Sequence, residues 1–386
     1  MAAVWEAGAV HIPLNDRLPL AEIEEICAET GAAAIIDERG YRRLEGDRVH
    51  DDDVAFIVWT SGTTGRPKPI LHTHTSYLEL LDRMVGPLKG AGERTGPPSP
   101  NLIPVSMALN AGLYNSLFGL RVGAALVIMD RFEPQDFATL VGRFAIRSTV
   151  LPPAAMVMLN ESSVETLAPL RYVRSITAPL SPLQARRFTE RFGAFVLNSY
   201  GQAEMGEVIG WTAADAKAFP DKIGAAGRPH PGVEIRVAED GRLLVKPRQA
   251  ALGLDDRRDG DGFIDTGDIA RIDEDGFVWI EGRVSDLINR GGNKVFPDAV
   301  EEVLRLHADV LDVSVVGVPD ARLGEVPVAF VVGRVDEDAL IAHCREHLVP
   351  YKVPVAFVAI DELPRSEVGK VLRRDLASRW SADRTD

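Results

Sequence analysis

The sequence predicts an α/β fold: a large N-terminal domain of mostly parallel sheets flanked by helices, a β-rich subdomain, and a small α+β C-terminal domain. Short apolar runs alternate with amphipathic stretches over the first two-thirds of the chain. This alternation is typical of parallel strands connected by helices. After about residue 220 the runs are short and separated by turn residues, and from residue 283 strands and helices form a compact mixed pattern.

Four apolar runs in the N-terminal part indicate buried strands, at residues 33–37, 54–60, 124–130 and 174–177. Ser181 and Pro182 supply a cap and a first-turn proline, so a helix is predicted from there to about residue 192. In the same way, Glu133 and Pro134 begin another predicted helix, which ends near residue 146. These helices connect the strands, which predicts a parallel sheet covered on both faces.

The later elements follow from turn residues and periodicity. Strands at 233–237 and 242–246 flank an acidic Gly-containing turn, and strands at 269–272 and 277–281 flank a second such turn. Helices are predicted at 297–306 and 337–348. We place the boundary between the two domains after Arg283, which gives domains of residues 1–283 and 284–386.

Composition limits the classes of function. The 386 residues include 43 Lys and Arg against 57 Asp and Glu, a formal net charge of −14, so a nucleic-acid partner is not expected. Two cysteines are too few for a disulfide framework or a zinc site of their own. Polar residues interrupt the most apolar region, residues 102–129, and the N-terminus lacks a signal-peptide pattern, so we expect no membrane insertion and a cytoplasmic protein.

A loop rich in glycine and hydroxyl groups follows the predicted strand 54–60 and precedes a helical stretch near Thr73. Its glycines allow backbone N–H groups to point into one concavity, and its hydroxyls and lysine add donors, which suits a polyphosphate. An ordinary strand-to-helix turn is the alternative. The loop is not a Walker A motif, because Pro69 follows the lysine where Ser or Thr would hold magnesium. The candidate phosphate-binding residues are Thr60, Ser61, Gly62, Thr63, Thr64, Gly65 and Lys68.

This loop resembles the phosphate-binding signature of the adenylate-forming superfamily, which includes acyl-CoA synthetases, nonribosomal-peptide adenylation domains and luciferases. Further segments resemble other motifs of that superfamily, in the same order, over almost the whole chain. They are Thr177-Ala-Pro-Leu180, Asn198-Ser-Tyr-Gly-Gln-Ala-Glu204, Asp265-Thr-Gly-Asp268, Gly291-Gly-Asn-Lys-Val-Phe-Pro297 and Pro364-Arg-Ser-Glu-Val-Gly-Lys370. Chance does not account for so many motifs in one order.

The resemblance implies a reaction in which ATP activates a carboxylic acid to an acyl-adenylate, with release of pyrophosphate. Lys370 would bridge the carboxylate and the α-phosphate, and Glu204 would coordinate Mg²⁺, which prefers carboxylate oxygens. Asp268 would accept the ribose hydroxyls, with Arg283 close by, and Tyr200 would stack on adenine. The other residues implied in ATP or AMP binding are Thr177, Ala178, Pro179, Asn198, Gly201, Gln202 and Ala203.

Each of these residues also has a plainer interpretation. Taken alone, Asp268 is typical of a turn, Glu204 of a solvated acid at a helix start, and Tyr200 of a core. Lys370 lies near a basic run and, without the other motifs, is better explained as a solvated charge. The ordered set of motifs favours the functional interpretation for Asp268, Glu204 and Lys370.

In the superfamily the acyl pocket is lined by a segment that corresponds to residues 107–112 and by the residues after the magnesium glutamate. Here these positions supply Met107, Leu109, Asn110, Gly112 and Met205. The segment has no acidic residue to pair with an α-ammonium group. An apolar carboxylic acid, aromatic or aliphatic, is therefore the expected substrate.

The resemblance also implies that the C-terminal domain rotates between two half-reactions. Ser285 occupies the hinge position, and Gly291 and Gly292 resemble the segment that lines a tunnel for a pantetheine thiol, where absent side chains leave room. The acceptor would be CoA or a phosphopantetheinyl carrier protein. The sequence around these glycines looks more like that of acyl-CoA synthetases than that of peptide-synthetase domains.

The chain departs from the superfamily pattern at several places. Ala203 stands where a threonine usually precedes the glutamate, and one lost hydrogen bond to phosphate is worth about 1.5–3 kcal/mol. Met107 replaces a common histidine, Ser285 a usual Asp or Lys, and Pro69 a usual glycine. The chain also begins well inside the usual N-terminal domain, which predicts an exposed apolar face that favours self-association as a homodimer.

The sequence therefore predicts an AMP-forming acid–thiol ligase that uses ATP, Mg²⁺ and CoA. Two alternatives stay open: a stand-alone adenylation enzyme that loads a carrier protein, and a catalytically weak nucleotide-binding remnant. The sequence predicts no metal site from the spacing of His72, His74, His230, His307, His343 and His347.

Overall fold

The structure, a computed structural model, describes residues 1–15, 18–51, 53–60, 68–89, 98–365 and 371–382. The chain forms two compact units, one of residues 1–235 and 245–264, the other of residues 236–244 and 265–386. The boundary predicted after Arg283 separates a domain that is expected to rotate, which is a different criterion from these compact units. That boundary stays a prediction. Among the described residues, no helix is both long and apolar enough to cross a bilayer.

The first unit contains most of the helices. They are α1 (Ala2–Glu6), α2 (Leu20–Thr30), α3 (His74–Lys89), α4 (Asn110–Arg121), α5 (Pro134–Arg143), α6 (Pro153–Glu161), α7 (Pro182–Phe192) and α8 (Ala213–Ala218). Its strands are β1 (Ala34–Asp37), β2 (Gly40–Arg43), β3 (Val54–Thr60), β4 (Lys68–Thr73), β5 (Asn101–Ile103), β6 (Leu126–Ile128), β7 (Ser148–Leu151), β8 (Tyr172–Ser175), β9 (Phe195–Leu197), β10 (Ser199–Gln202), β11 (Gly206–Gly210) and β12 (Arg228–Pro229). Short 3₁₀ helices lie at Pro220–Lys222 and Asp255–Arg257.

A five-stranded parallel sheet in the order β6-β5-β7-β8-β9 forms the centre of the first unit. Its core buries Phe137, Met156 and Phe188 from the connecting helices. Ser181 caps α7 through its hydroxyl, which accepts from the Gln184 N–H, so the predicted helix is confirmed to its last residue. This sheet confirms the predicted α/β class.

Two of the predicted buried strands behave differently. Within the described part of the chain, strand β1 pairs only with its hairpin partner β2, and Ile36 is 67% exposed. Strand β3 is buried, as predicted, but it pairs antiparallel with β4 and lies outside the parallel sheet. An apolar run indicates that a strand is buried but does not indicate its partner strand, so the sequence could not predict how β1 and β3 pair.

The strands β13 (Glu234–Val237), β14 (Arg242–Lys246), β15 (Ile264–Ile272) and β16 (Val278–Arg283) form a four-stranded sheet in that order, and most of their residues belong to the second unit. The second unit continues with a 3₁₀ turn (Val284–Asp286), β17 (Ile288–Arg290), β18 (Asn293–Val295), α9 (Pro297–Leu304), β19 (Val310–Asp320), β20 (Gly324–Gly333), α10 (Glu337–His347), a 3₁₀ turn (Pro350–Lys352), β21 (Ala356–Ala359) and α11 (Arg373–Ala382). A sheet in the order β18-β17-β20-β19, with β21 parallel to β20, packs against α9 and α10.

Candidate active site

The glycine-rich loop connects two paired strands. Thr60 at the end of β3 lies opposite Lys68 at the start of β4 in the antiparallel register, and α3 begins only at His74. The predicted direct strand-to-helix connection is therefore corrected to a hairpin. The loop residues Ser61, Gly62, Thr63, Thr64 and Gly65 and the side chain of Thr60 lie outside the described residues, whereas Lys68 is exposed.

The motif that ends in Glu204 includes strand β10, which pairs with β11 and has a bulge between Tyr200 and Gly201. The two strands approach so closely that a Cβ atom on Gly201 would lie 2.0 Å from the carbonyl oxygen of Gly206. Only glycine fits there. The resulting tight connection places Glu204 at the turn between the two strands.

Arg257 binds this turn. Its Nη1 donates to Oε1 of Glu204 at 2.9 Å and its Nη2 donates to Oε1 of Gln202 at 2.7 Å. The side chains of Arg257 and Glu204 are 31% and 19% exposed, so the pair is partly shielded from water. The Glu204 carboxylate is thus oriented and in contact with a positive charge. The sequence analysis missed Arg257, which lies 53 positions away and gives no local signal beyond a basic pair in an acidic stretch.

His72 joins the loop-bearing hairpin to this motif. Its Nε2 lies 2.9 Å from the carbonyl oxygen of Ala203, and its ring packs against Phe56 and Tyr77. Burial lowers the pKa of His72 to about 4, outweighing the opposing effect of the Ala203 hydrogen bond. The imidazole is therefore neutral at pH 7, and Nε2 must carry the proton because a carbonyl oxygen can only accept.

The predicted acyl-pocket segment lies at the start of α4 and contacts the same cluster. The Tyr77 hydroxyl donates to Oδ1 of Asn110 at 2.8 Å. A Cβ on Gly112 would lie 2.1 Å from the Ser106 carbonyl oxygen, so this position also requires glycine. Met107 accepts a hydrogen bond from the Ser116 hydroxyl. Leu109 is the cap residue of α4, and Met205 is fully buried.

Buried ion pairs contact the residues that directly follow Glu204. The fully buried guanidinium of Arg83 donates to the carbonyl oxygens of Met205 and Glu207, and it pairs with Glu79. Glu207 in turn contacts Arg174 at 2.5 Å and His230 at 2.8 Å. Burial alone would raise the pKa of Glu207, but Arg174 and His230 overcome it, and the pKa lies below its usual value. Glu207 therefore stays charged and holds β11 in place.

The Thr177 segment has an unusual backbone. Thr177 has φ = +73°, a left-handed conformation that is strained for a β-branched residue, and such strain concentrates at ligand sites. The Ser199 hydroxyl donates to the Ser175 carbonyl oxygen at 2.7 Å, which brings this segment beside β10. Thr177, Ala178 and Pro179 are exposed. Asn198 is buried, and its amide donates to the Ala225 carbonyl oxygen, so its side chain holds the fold.

Asp268 and Arg283 meet in the second unit. They are direct neighbours across β15 and β16, and Arg283 Nε lies 3.2 Å from Asp268 Oδ1. The Asp268 side chain is 4% exposed and that of Arg283 is 45% exposed. The Asp268 N–H also donates to the Thr266 hydroxyl within strand β15. A buried carboxylate is thus held beside a partly exposed arginine.

Ser285, the predicted hinge residue, donates to Asp286, whose other oxygen accepts from Arg373 at 2.8 Å. Gly291 and Gly292, with φ = +58° and +88°, form the two-residue turn between β17 and β18. This turn requires glycine on its own account, so the two glycines are explained without a tunnel. Lys370 lies outside the described residues.

Comparison with known proteins defines the class. Residues 37–253 match the AMP-binding enzyme family, and residues 299–370 match the C-terminal domain of AMP-binding enzymes. The chain belongs to this family of AMP-binding enzymes, as the motif order predicted.

Named relatives act on different acids. The chain is 32% identical over 371 residues to a long-chain-fatty-acid–CoA ligase from Salmonella typhimurium, covering 88% of this chain and 64% of the relative. It is 33% identical over 353 residues to a sulfoacetate–CoA ligase from Cupriavidus necator, covering 84% and 67%. The structure of o-succinylbenzoate CoA synthetase from Bacillus subtilis with its acyl-adenylate intermediate aligns with a TM-score of 0.75 at 26% identity, covering 87% of this chain and 71% of that one.

Proposed function

We propose that this chain is an AMP-forming acid–thiol ligase. It would activate an apolar carboxylic acid, aromatic or aliphatic, with ATP and then transfer the acyl group to the pantetheine thiol of CoA or of a carrier protein. The observation that supports this most is the His72–Ala203 hydrogen bond of 2.9 Å. It fixes the hairpin with the glycine-rich loop against the motif that ends in Glu204, as a shared phosphate site requires.

The first half-reaction brings two anions together, so positive charge and alignment are what the protein must supply. In the proposal, the loop of residues 60–68 holds the β- and γ-phosphates through backbone N–H groups and Lys68. Tyr200 stacks on adenine beside the strained Thr177 segment, and Asp268 accepts the ribose hydroxyls, with Arg283 orienting its carboxylate. Lys370 binds the α-phosphate and the carboxylate as negative charge develops between them.

The residues present suit Mg²⁺. Glu204 offers carboxylate oxygens, the ligands this ion prefers, and one of them already contacts a cationic group, the Arg257 guanidinium, at 2.9 Å. When bound, the ion would neutralise phosphate charge. Arg257 and the ion would then compete for the Glu204 carboxylate.

The relatives are named as ligases of acids as different as long-chain fatty acids and sulfoacetate, so they do not indicate which acid this chain activates. The residues of the pocket are the basis for the substrate proposed here. Met107 and Leu109 are partly exposed and offer apolar contacts, whereas Met205 is fully buried. Arg83 and Arg174 are each already paired with a carboxylate of the protein. They are therefore poor partners for a second anionic group on the tail of the substrate acid. Both features support an uncharged tail on the acid.

The remaining predictions belong to the same proposal. Residues 284–386 would rotate about Ser285 between the half-reactions, and Gly291 and Gly292 would line the path of the thiol. We also infer a cytoplasmic location and a homodimer; the exposed apolar side chains of Leu20, Ile36 and Val49 support self-association.

Two observations favour a second candidate. Because Arg257 already pairs with Glu204 and Ala203 lacks a hydroxyl, the chain would, in this alternative, bind ATP and turn it over weakly or not at all. This second candidate has the same nucleotide site but lacks the ligase activity.

Acid-dependent pyrophosphate release tests the proposal. The chain is incubated with ATP, Mg²⁺ and one acid at a time, from aliphatic, aromatic and sulfonated classes, first without an acceptor, then with CoA, then with a phosphopantetheinylated carrier protein. A ligase releases pyrophosphate with apolar acids and forms a thioester with one acceptor. ATP binding without release for any acid would contradict the proposal and favour the second candidate.

A further inference from the structure

A group of potential metal ligands lies at the end of helix α10, on the second unit. His343, Glu346 and His347 each offer a ligand atom, and these atoms lie within 4.8 Å of one another. Residues three and four positions apart share one face of a helix, and a histidine pair at this spacing is a familiar zinc-binding arrangement. Arg345 is two positions from each histidine and so points away from that face.

The hydrogen bonds of both imidazoles leave a lone pair for a metal. The Nε2 atom of His343 lies 2.8 Å from the carbonyl oxygen of Val303, and the Nδ1 atom of His347 lies 3.0 Å from the carbonyl oxygen of His343. A carbonyl can only accept, so each of these nitrogens carries a proton, and the second nitrogen of each neutral imidazole is the one left to bind a metal. Histidine ligands of metals characteristically donate their second nitrogen to a carbonyl or carboxylate in this way.

The surroundings also favour a cation. His347 is the last residue of α10, where the helix dipole is negative. Glu346 adds a carboxylate and is exposed, as is His347, whereas His343 is half-buried against His307 and the end of α9. Two nitrogens of a tetrahedral site lie about 3.3 Å apart when each is about 2.05 Å from zinc. The ligand atoms here lie within 4.8 Å of one another, and small rotations of the two exposed side chains, Glu346 and His347, can bring them to the distances that a metal requires.

We propose that His343, Glu346 and His347 bind one divalent transition-metal ion of the Zn²⁺ or Cu²⁺ class, with water completing the coordination. Imidazole ligands select these ions over Mg²⁺, which prefers oxygen. The site belongs to the second unit and is independent of the proposed ligase chemistry. The proposal differs from the sequence-based expectation, which found no metal-binding spacing among the histidines.

Zn²⁺ titration of the full chain without a polyhistidine tag tests this, by calorimetry in buffer that contains Mg²⁺ but no ATP. The expected result is one Zn²⁺ per chain, with affinity about tenfold or more weaker in His347→Ala and reduced in Glu346→Gln. His50→Ala is the matched control and should bind as the unaltered chain does.

Electron paramagnetic resonance of the Cu²⁺-loaded chain gives a second readout, because nitrogen ligands split the signal. Two imidazole nitrogens are expected in the unaltered chain and one in His347→Ala, with unchanged circular dichroism. No stoichiometric binding, or equal affinity and equal nitrogen count in His347→Ala, would overturn the proposal.

Discussion

The guanidinium of Arg257 contacts the carboxylate of Glu204 at 2.9 Å and the amide oxygen of Gln202 at 2.7 Å. It thus ties together two residues of the motif that the proposal places at the nucleotide phosphates and the metal. The contact gives Glu204 a fixed orientation. It also means that a metal ion and Arg257 compete for the same carboxylate.

Arg257→Ala should therefore lower the Mg²⁺ concentration that gives half-maximal activity, because a partly exposed ion pair of about 0.2–1 kcal/mol no longer competes. This corresponds to about 1.4- to 5-fold. Arg257→Lys retains the charge but not the two-pronged contact, so it should lie in between. Magnesium titrations of pyrophosphate release measure the effect, and a higher Mg²⁺ requirement in Arg257→Ala would show that the arginine assists the metal.

Ala203→Thr should raise the rate of adenylation, by up to about 10- to 100-fold if the missing hydroxyl binds phosphate only in the transition state. The Ala203 side chain packs against the cluster that contains Phe56 and Tyr77, so extra volume carries some cost. Ala203→Val adds similar volume without the hydroxyl and is the matched control. Equal rates in both variants would mean that another group already makes this contact.

The buried His72 predicts a pH-dependent loss of stability. Its pKa is 6.5 in the unfolded chain and about 4 in the folded one, so only the unfolded chain gains a proton between these values. The stabilisation is fully present above pH 6.5 and is lost as the pH falls towards 4, by about 3 kcal/mol in total.

His72→Leu should lack this component, so its midpoint of urea unfolding should change less between pH 7 and pH 4.5 than that of the unaltered chain. Other groups titrate alike in both proteins and cancel in the comparison. Parallel pH dependences would show that His72 is not buried as a neutral group.

Gly201→Ala should destabilise the first unit by about 1–3 kcal/mol, because the new Cβ would lie 2.0 Å from the Gly206 carbonyl oxygen. Gly142→Ala is the contrasting variant: its Cβ would meet nothing within 4 Å, on an exposed face of α5. This second change should stabilise by about 0.5–1 kcal/mol. Thermal unfolding of both variants measures the effects, and a tolerated Gly201→Ala would contradict the close strand approach.

Local signals in the sequence predicted local structure well. Ser181 and Pro182 located α7 to the residue, because a cap and a first-turn proline act within one turn. The order of motifs identified the family. The partner of strand β3 and the contacts of Arg257 and His72 with the Glu204 motif could not be predicted, because they join positions far apart in the chain. Gly291 and Gly292 also form a tight turn between two strands, which the motif did not predict, and their place on the path of a thiol stays a prediction.

Formation of an acyl-adenylate that depends on Lys370 tests the central claim most directly. The chain and Lys370→Ala are incubated with ATP, Mg²⁺, an apolar acid and hydroxylamine, and the acyl-hydroxamate is quantified while ATP binding is measured separately. The proposal predicts hydroxamate from the unaltered chain and almost none from Lys370→Ala, with similar ATP binding in both. Equal hydroxamate from the two proteins would contradict the role of Lys370, and none from either would contradict the proposed ligase activity itself.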